Sequence, residues 1–328
     1  MHAPVAAKRD GWQTTIVDHA SRAELLEKYA SPGQFTINYD AIEEVDVIWR
    51  GGSLDQAVPA DLLGSFDMLV ASHVFEHLPD PIRFLASCAK VLKPDGVVSL
   101  AIPDYRFIFD YFRPWSTTGD VIGAYLSGNT RHTPAASFDN VAYLATADTV
   151  ASWGQHAVHE FAFLSTLQQA YASARDAAEP GQYSDMHAWQ LTPNRFALIM
   201  LELSVLGLID WHIEKLYPTA GNEFIVHLRR GAEDVSDTKA VTERRLALLR
   251  AGLAEQYEQA SFAGIGAVAE PLPSNADPQA IPAHTDPQQS ELRKITQQLQ
   301  TQHHEVMSAL ANGSIRGRLR RLRNWLSR

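Results

Sequence analysis

Two apolar runs at residues 66–71 (FDMLVA) and 97–102 (VVSLAI) flank a helical pattern, and this unit constrains the fold more than any other stretch of the chain. The pattern covers residues 81–92, with Ile82, Leu85, Cys88, Ala89 and Leu92 at helical spacing, and Leu92-Lys93-Pro94-Asp95-Gly96 closes it as a turn. A run that is apolar on both faces suits a parallel strand covered on both sides. Strand, helix and strand at this spacing make a crossover between parallel neighbours. Between the first strand and the helix lies ASHVFEHLPDP, in which Asp80 reads as a helix cap. Ligands of open α/β sheets sit beyond the carboxyl ends of the strands. Ser72, His73, Glu76 and His77 therefore fall where cofactor binding or chemistry takes place.

The same rhythm extends to either side. Residues 13–17 (QTTIV) and 41–49 (AIEEVDVIW) read as strands, the second stopped by Gly51-Gly52. Between them Ser21 and Glu24 form a capping box for a helix that ends at Ser31-Pro32-Gly33. Residues 55–63 read as a short helix or turn. After Pro103 the alternation breaks: residues 104–190 are aromatic- and histidine-rich, with helical patches and no clear strand. Thr192-Pro193 then starts a helix ending at Gly207. Strands at 209–216 and 223–228 follow, joined by a turn-rich connection typical of an antiparallel edge hairpin. The expected class is α/β: a doubly wound, mostly parallel sheet with a C-terminal antiparallel hairpin, a helical insertion and a helical tail.

A length of 328 residues suggests about two domains. We expect one domain over residues 1–232 with an insertion at 104–190, then an amphipathic helix within 233–262. A linker at 263–288, rich in Ala, Pro, Ser, Asp and Gln, reads as disordered. The tail at 289–328 reads as helical with coiled-coil character. Its last part, 314–328, carries six arginines beside Ile315, Leu319, Leu322 and Leu326. Such a helix can bind an anionic membrane surface or an acidic partner, or remain a solvated terminal helix. A formal charge of −10 argues against a nucleic-acid binder. One cysteine excludes an intrachain disulfide framework and suits a reducing compartment. With no apolar run of membrane-spanning length and no signal-peptide core, the chain is expected to be cytoplasmic.

FDMLVASHVFEHLPDP, LKPDG and VVSLAIPD together resemble the second half of a class I S-adenosylmethionine-dependent methyltransferase domain, of the type 11-like kind, over residues 13 to about 230. The resemblance implies a Rossmann-like sheet, S-adenosylmethionine as cofactor, and methyl transfer to a small-molecule or glycan-type acceptor. It further implies that Asp18 accepts the ribose hydroxyls, with His19 on the same edge. Gly52, Ser53 and Leu54 occupy the adenine loop, and Ser72 and His73 lie beside the methionine part. Glu76 and His77 are expected to cap or scaffold. In the family a glycine-rich strand-loop precedes the Asp18 strand, and residues 1–12 cannot hold both that strand and a crossover of about a dozen residues. A late chain start is the favoured reading, with a non-catalytic, methyltransferase-like scaffold as the alternative.

Within the insertion, Asp104 directly follows a strand and is expected to face the cleft. His73, Asp104 and His187 are the candidates for a base that deprotonates the acceptor. Against each stands the plainer reading that aromatics pack the cap and histidines satisfy local hydrogen bonds. The spacing of His156, His159 and Glu160 in HAVHE allows a shared helix face, but it lacks the HExxH order and cysteine partners. No metal is expected.

Overall fold

The computed structural model describes residues 4–30, 38–179, 184–234 and 236–264. The expected linker, the helical tail with its basic segment 314–328, and the Ser31-Pro32-Gly33 break lie outside the described residues. Sixteen helices and strands follow in order: β1 (Val17–Asp18), α1 (Arg22–Tyr29), β2 (Val47–Ile48), α2 (Leu54–Ala57), β3 (Phe66–Ser72), α3 (Pro81–Val91), β4 (Leu92–Pro103), α4 (Thr118–Leu126), α5 (Pro134–Ala142), β5 (Ala145–Ala147), β6 (Phe161–Phe163), α6 (Leu167–Ala178), α7 (Pro193–Val205), β7 (Trp211–Leu216), β8 (Glu223–Arg230) and α8 (Thr238–Phe262).

Local chemistry sets the helix starts. Ser21 and Glu24 form a reciprocal capping box on α1. Asp80 accepts from the Arg83 amide with Pro81 at the first helical position of α3, and Thr192 with Pro193 does the same for α7. Each cap satisfies an amide that the helix itself leaves unpaired.

The main sheet has four strands in the order β3-β4-β8-β7. β3 and β4 pair parallel, from Phe66 opposite Leu92 to Ser72 opposite Ala101, whereas β8 runs antiparallel to both β4 and β7. One parallel pair out of three makes this sheet mixed rather than mostly parallel. LKPDG also differs from a free-standing turn: it lies at the start of β4, where the register shifts between Phe66 and Met68. Gly96 is required there, since a Cβ would come within 2.9 Å of Leu92 Cβ and 3.0 Å of the Lys93 carbonyl oxygen.

β1 and β2 form a separate two-stranded parallel sheet, Val17 opposite Val47 and Asp18 opposite Ile48. Both are far shorter than their apolar patterns suggest. Among the described residues no strand bridges this pair to β3, and Val17 and Val70 are partly exposed.

The core joins β3, β4, β7 and β8 to α3, α4 and α7, with Leu85, Cys88, Val98, Leu100, Phe196, Trp211 and Phe224 fully enclosed. Burial pushes the Cys88 thiol well up, which fits a packing residue. The insertion is not a purely helical cap: β5 and β6 form a short antiparallel pair, and Val121 and Ala124 of α4 belong to the main core. α8 docks through polar side chains (Glu255, Glu258 and Gln259) and through Phe262, which packs on Phe107, while Leu246, Leu249 and Leu253 stay exposed. No helix of the described residues is long and apolar enough to cross a membrane.

Candidate active site at the carboxyl end of β3

β3 ends at Ser72, and the next residue adopts a backbone that non-glycine residues rarely take. His73 has φ +53°, a strain of order 1–3 kcal/mol that surrounding structure must hold. Its amide donates to the Ala101 carbonyl at 2.9 Å, and its Nε2 lies 2.8 Å from Glu223 Oε2. Because β8 runs antiparallel to β4, its first residue, Glu223, stands opposite Pro103 at the carboxyl end of the parallel strands. The Ser72 hydroxyl oxygen is buried with no hydrogen-bond partner.

A 3-10 turn over Phe75–His77 follows. Phe75 packs edge-on against Phe196 with ring centres 5.4 Å apart. The Ala188 and Trp189 amides donate to the Glu76 carbonyl, and Trp189 Nε1 donates to the Leu78 carbonyl at 2.6 Å. The end of the insertion is thereby fastened to the turn. Glu76 does not cap α3, a role taken by Asp80. Its side chain is fully buried, and neither carboxylate oxygen has a hydrogen-bond donor.

His187 is buried against this turn. Its Nδ1 lies 2.5 Å from Asp110 Oδ2, and Arg113 Nη1 donates to Asp110 Oδ1 at 2.9 Å. Burial alone would push the imidazole down and the carboxyl up. The attraction between the two outweighs it, holding His187 above and Asp110 below their ordinary values. At the outer side, Asp185 Oδ1 lies 3.1 Å from His77 Nδ1, and Lys28 donates to Asp185 Oδ2 at 3.2 Å. The neighbouring His77 imidazole and the Lys28 charge hold the Asp185 carboxyl well below the usual range.

Lys28 also lies 3.4 Å from His19 Nε2, and His19 Nδ1 is 2.7 Å from Asp18 Oδ1. Asp18, His19, Lys28, Asp185, His77 and His187 thus form one rim, a run of neighbouring side chains from the end of β1 to the turn after β3, with His73 beside it, its Nδ1 3.6 Å from Glu76 Oε1. Asp18 retains an exposed carboxylate there, its backbone partner being the Ala20 amide at 3.4 Å. Gly51 and Gly52, at φ +120° and +76°, have open space where a Cβ would stand, so their backbone is approachable. Ser53, by contrast, is bonded to Asp55 and Ser87, and the Leu54 side chain is in the core.

Asp104 sits apart from that rim and does not face a cleft. It is fully buried, accepting from Arg106 Nη2 and Thr219 Oγ1 at 2.6 Å each and from Arg106 Nε at 2.9 Å. Both oxygens are committed to structure. His156, His159 and Glu160 are exposed and lie outside any helix, so the helix face expected for HAVHE is not formed. Sequence reasoning missed Glu223, though the expected hairpin carried its signal: an antiparallel strand starts where parallel strands end. Asp110 and Asp185 carried no signal beyond lying among the insertion's charged residues.

Residues 3–159 match the family model of a methyltransferase domain. Several curated relatives are ubiquinone biosynthesis O-methyltransferases. That of Caulobacter vibrioides is 38% identical over 61 residues, 19% of this chain and 24% of its own length. The Actinobacillus pleuropneumoniae serotype 5b protein is 30% identical over 94 residues, 28% of this chain and 37% of its own. The Xanthomonas campestris pv. campestris protein (strain B100) is 37% identical over 57 residues, 17% and 23% respectively. The matches span less than two fifths of each relative's length.

Proposed function

We propose that this chain, which carries a class I methyltransferase domain over residues 3–159, binds S-adenosylmethionine along the rim from β1 to β3 and methylates a hydroxyl of a small-molecule acceptor. The relatives that share part of its sequence are named O-methyltransferases, which supports oxygen as the acceptor atom. A glycan hydroxyl is one acceptor of that class, and the lone buried cysteine suits a cytoplasmic setting.

The residues fit the cofactor. Asp18 offers a carboxylate able to accept two ribose hydroxyls, the Gly51-Gly52 backbone is open to a flat base, and the unpartnered Ser72 hydroxyl is available beside the methionine part. When bound, S-adenosylmethionine supplies a methyl group made electrophilic by its sulfonium.

The observation that carries the reading is His73, held in a strained backbone at the end of β3 with Nε2 2.8 Å from Glu223. Glu223 orients the imidazole, and the ring takes the acceptor's hydroxyl proton as its oxygen forms the new C–O bond. The S–C electron pair leaves with sulfur. Positioning and proton removal of this kind contribute about 10²–10⁴-fold in rate.

Calorimetry with S-adenosylhomocysteine on the full chain tests the cofactor. Binding that weakens in Asp18→Ala is expected; no binding at millimolar ligand would support the non-catalytic scaffold instead. With an acceptor in hand, His73→Ala should lower kcat by about 10²–10⁴-fold with the thermal midpoint retained. Glu223→Gln should lower it less.

A further inference from the structure

Beside His73, the turn after β3 and the end of the insertion hold Glu76, His77 and His187, which methyl transfer leaves unused. Three imidazole nitrogens surround one carboxylate oxygen, Glu76 Oε1: His73 Nδ1 at 3.6 Å, His77 Nε2 at 3.7 Å and His187 Nε2 at 3.9 Å. None is close enough to hydrogen-bond it, and the carboxylate is fully buried. A buried carboxylate without a donor is costly. Nitrogens ringing it at nearly equal, too-long distances mark a space that a cation would fill.

The spacing is within reach. One ligand atom each from Glu76, His77 and His187 lies within 4.8 Å of the others. Bonds of about 2.0–2.1 Å to a tetrahedral ion place ligand atoms roughly 3.3 Å apart, so closure needs the separations to shorten by a few tenths of an ångström to about 1.5 Å. The two imidazole rings stand perpendicular with centres 4.6 Å apart.

One outer partner agrees as well. A metal-bound histidine hands its second nitrogen to a carboxylate or carbonyl, which fixes the tautomer and aims the other nitrogen at the ion. His187 has such a partner, Asp110 at 2.5 Å from its Nδ1; His77 Nδ1 has the Asp185 carboxylate 3.1 Å away but outside hydrogen-bond geometry.

We propose that Glu76, His77 and His187 bind one first-row divalent transition-metal ion, with Asp110 orienting the His187 imidazole. Two nitrogens and one oxygen select zinc or its neighbours over magnesium, which prefers oxygen ligands and keeps its waters. The ion ties His187 of the insertion to the turn carrying His73. The proposal stands on this geometry alone and does not depend on methyl transfer.

Full-length protein, stripped with a chelator and dialysed, is titrated with Co²⁺ by calorimetry and visible absorption. One Co²⁺ per chain, displaced by Zn²⁺, is expected. Asp110→Asn should weaken Co²⁺ binding about 10–100-fold, and His187→Ala or Glu76→Gln by more. X-ray absorption on the zinc-loaded wild type requires no variant to fold, and it should show two imidazoles and a carboxylate. Any of three results would overturn the assignment: no Co²⁺ or Zn²⁺ bound by the stripped wild type, Mg²⁺ bound in their place, or a zinc shell without imidazole. Failure to bind S-adenosylhomocysteine would leave the metal site untouched and sink only the methyl-transfer reading.

Discussion

Two buried clusters of charge lie at the carboxyl ends of neighbouring parallel strands, and they are built in opposite ways. Beyond β4, Asp104 is saturated by Arg106 and Thr219, and Arg106 is further held by Glu258 of α8 at 2.5 Å. Beyond β3, the Glu76 carboxylate is equally buried yet accepts no hydrogen bond, and the groups around it are imidazoles. A buried charge with every lone pair answered is scaffold; one left unanswered among ligating atoms is available to something not made of protein. Asp104 follows its strand directly and looks functional in sequence, whereas Glu76 looks like a turn residue. The pairing reverses those roles.

The contrast breaks first at Asp104. Replacing it with alanine strands the buried Arg106 guanidinium and frees Thr219. Urea unfolding of Asp104→Ala should show a loss of about 3–5 kcal/mol, and a loss below about 1 kcal/mol would mean the β4 cluster is not scaffold.

Acid sharpens the comparison next, because only the β3 cluster contains histidines. His132, beside His77, Arg113 and His187, is pushed down to about 4, by burial first and then by its cationic neighbours. Its folded value lies below its unfolded value, so the stability it contributes is present above about pH 6.5 and is lost as pH falls towards 4. The loss is at most about 3 kcal/mol, and His132→Leu should flatten the stability–pH curve in that window. His187 works in the other direction: with its folded value raised, its contribution is present below about pH 6.5 and is lost as pH rises through the folded value.

The smallest expected effect is the most telling. In metal-stripped protein Glu76→Gln removes a buried charge that has no donor to lose, so its unfolding free energy should stay within about 1 kcal/mol of wild type, or exceed it. A loss matching that of Asp104→Ala would show that Glu76 has protein partners after all.

Much of this architecture was legible in the chain. The Asp80 and Thr192 caps, the strand over residues 66–72, the helix after Pro81 and the β8 strand follow from turn chemistry and hydrophobic period, which act over a few residues. The rim from Asp18 to His73 was reachable too, through the rule that sites gather beyond strand ends. The lengths of β1 and β2 were not, because a strand's extent depends on what pairs along its far edge. Nor was the docking of α8 by Glu255 and Glu258, for its pattern says only that a helix forms.

What the sequence determined by itself, then, is which residues become strand, helix or turn, and that Ser72, His73, Glu76 and His77 leave β3 together. Which of them would be satisfied was decided in three dimensions. Asp104 acquired Arg106 two residues away, but Thr219 only by folding, as Arg106 acquired Glu258; Glu76 met His187 across more than a hundred positions and received no hydrogen bond from it. Solvation of a buried charge depends on every atom around it, and those atoms are assembled only by the tertiary fold.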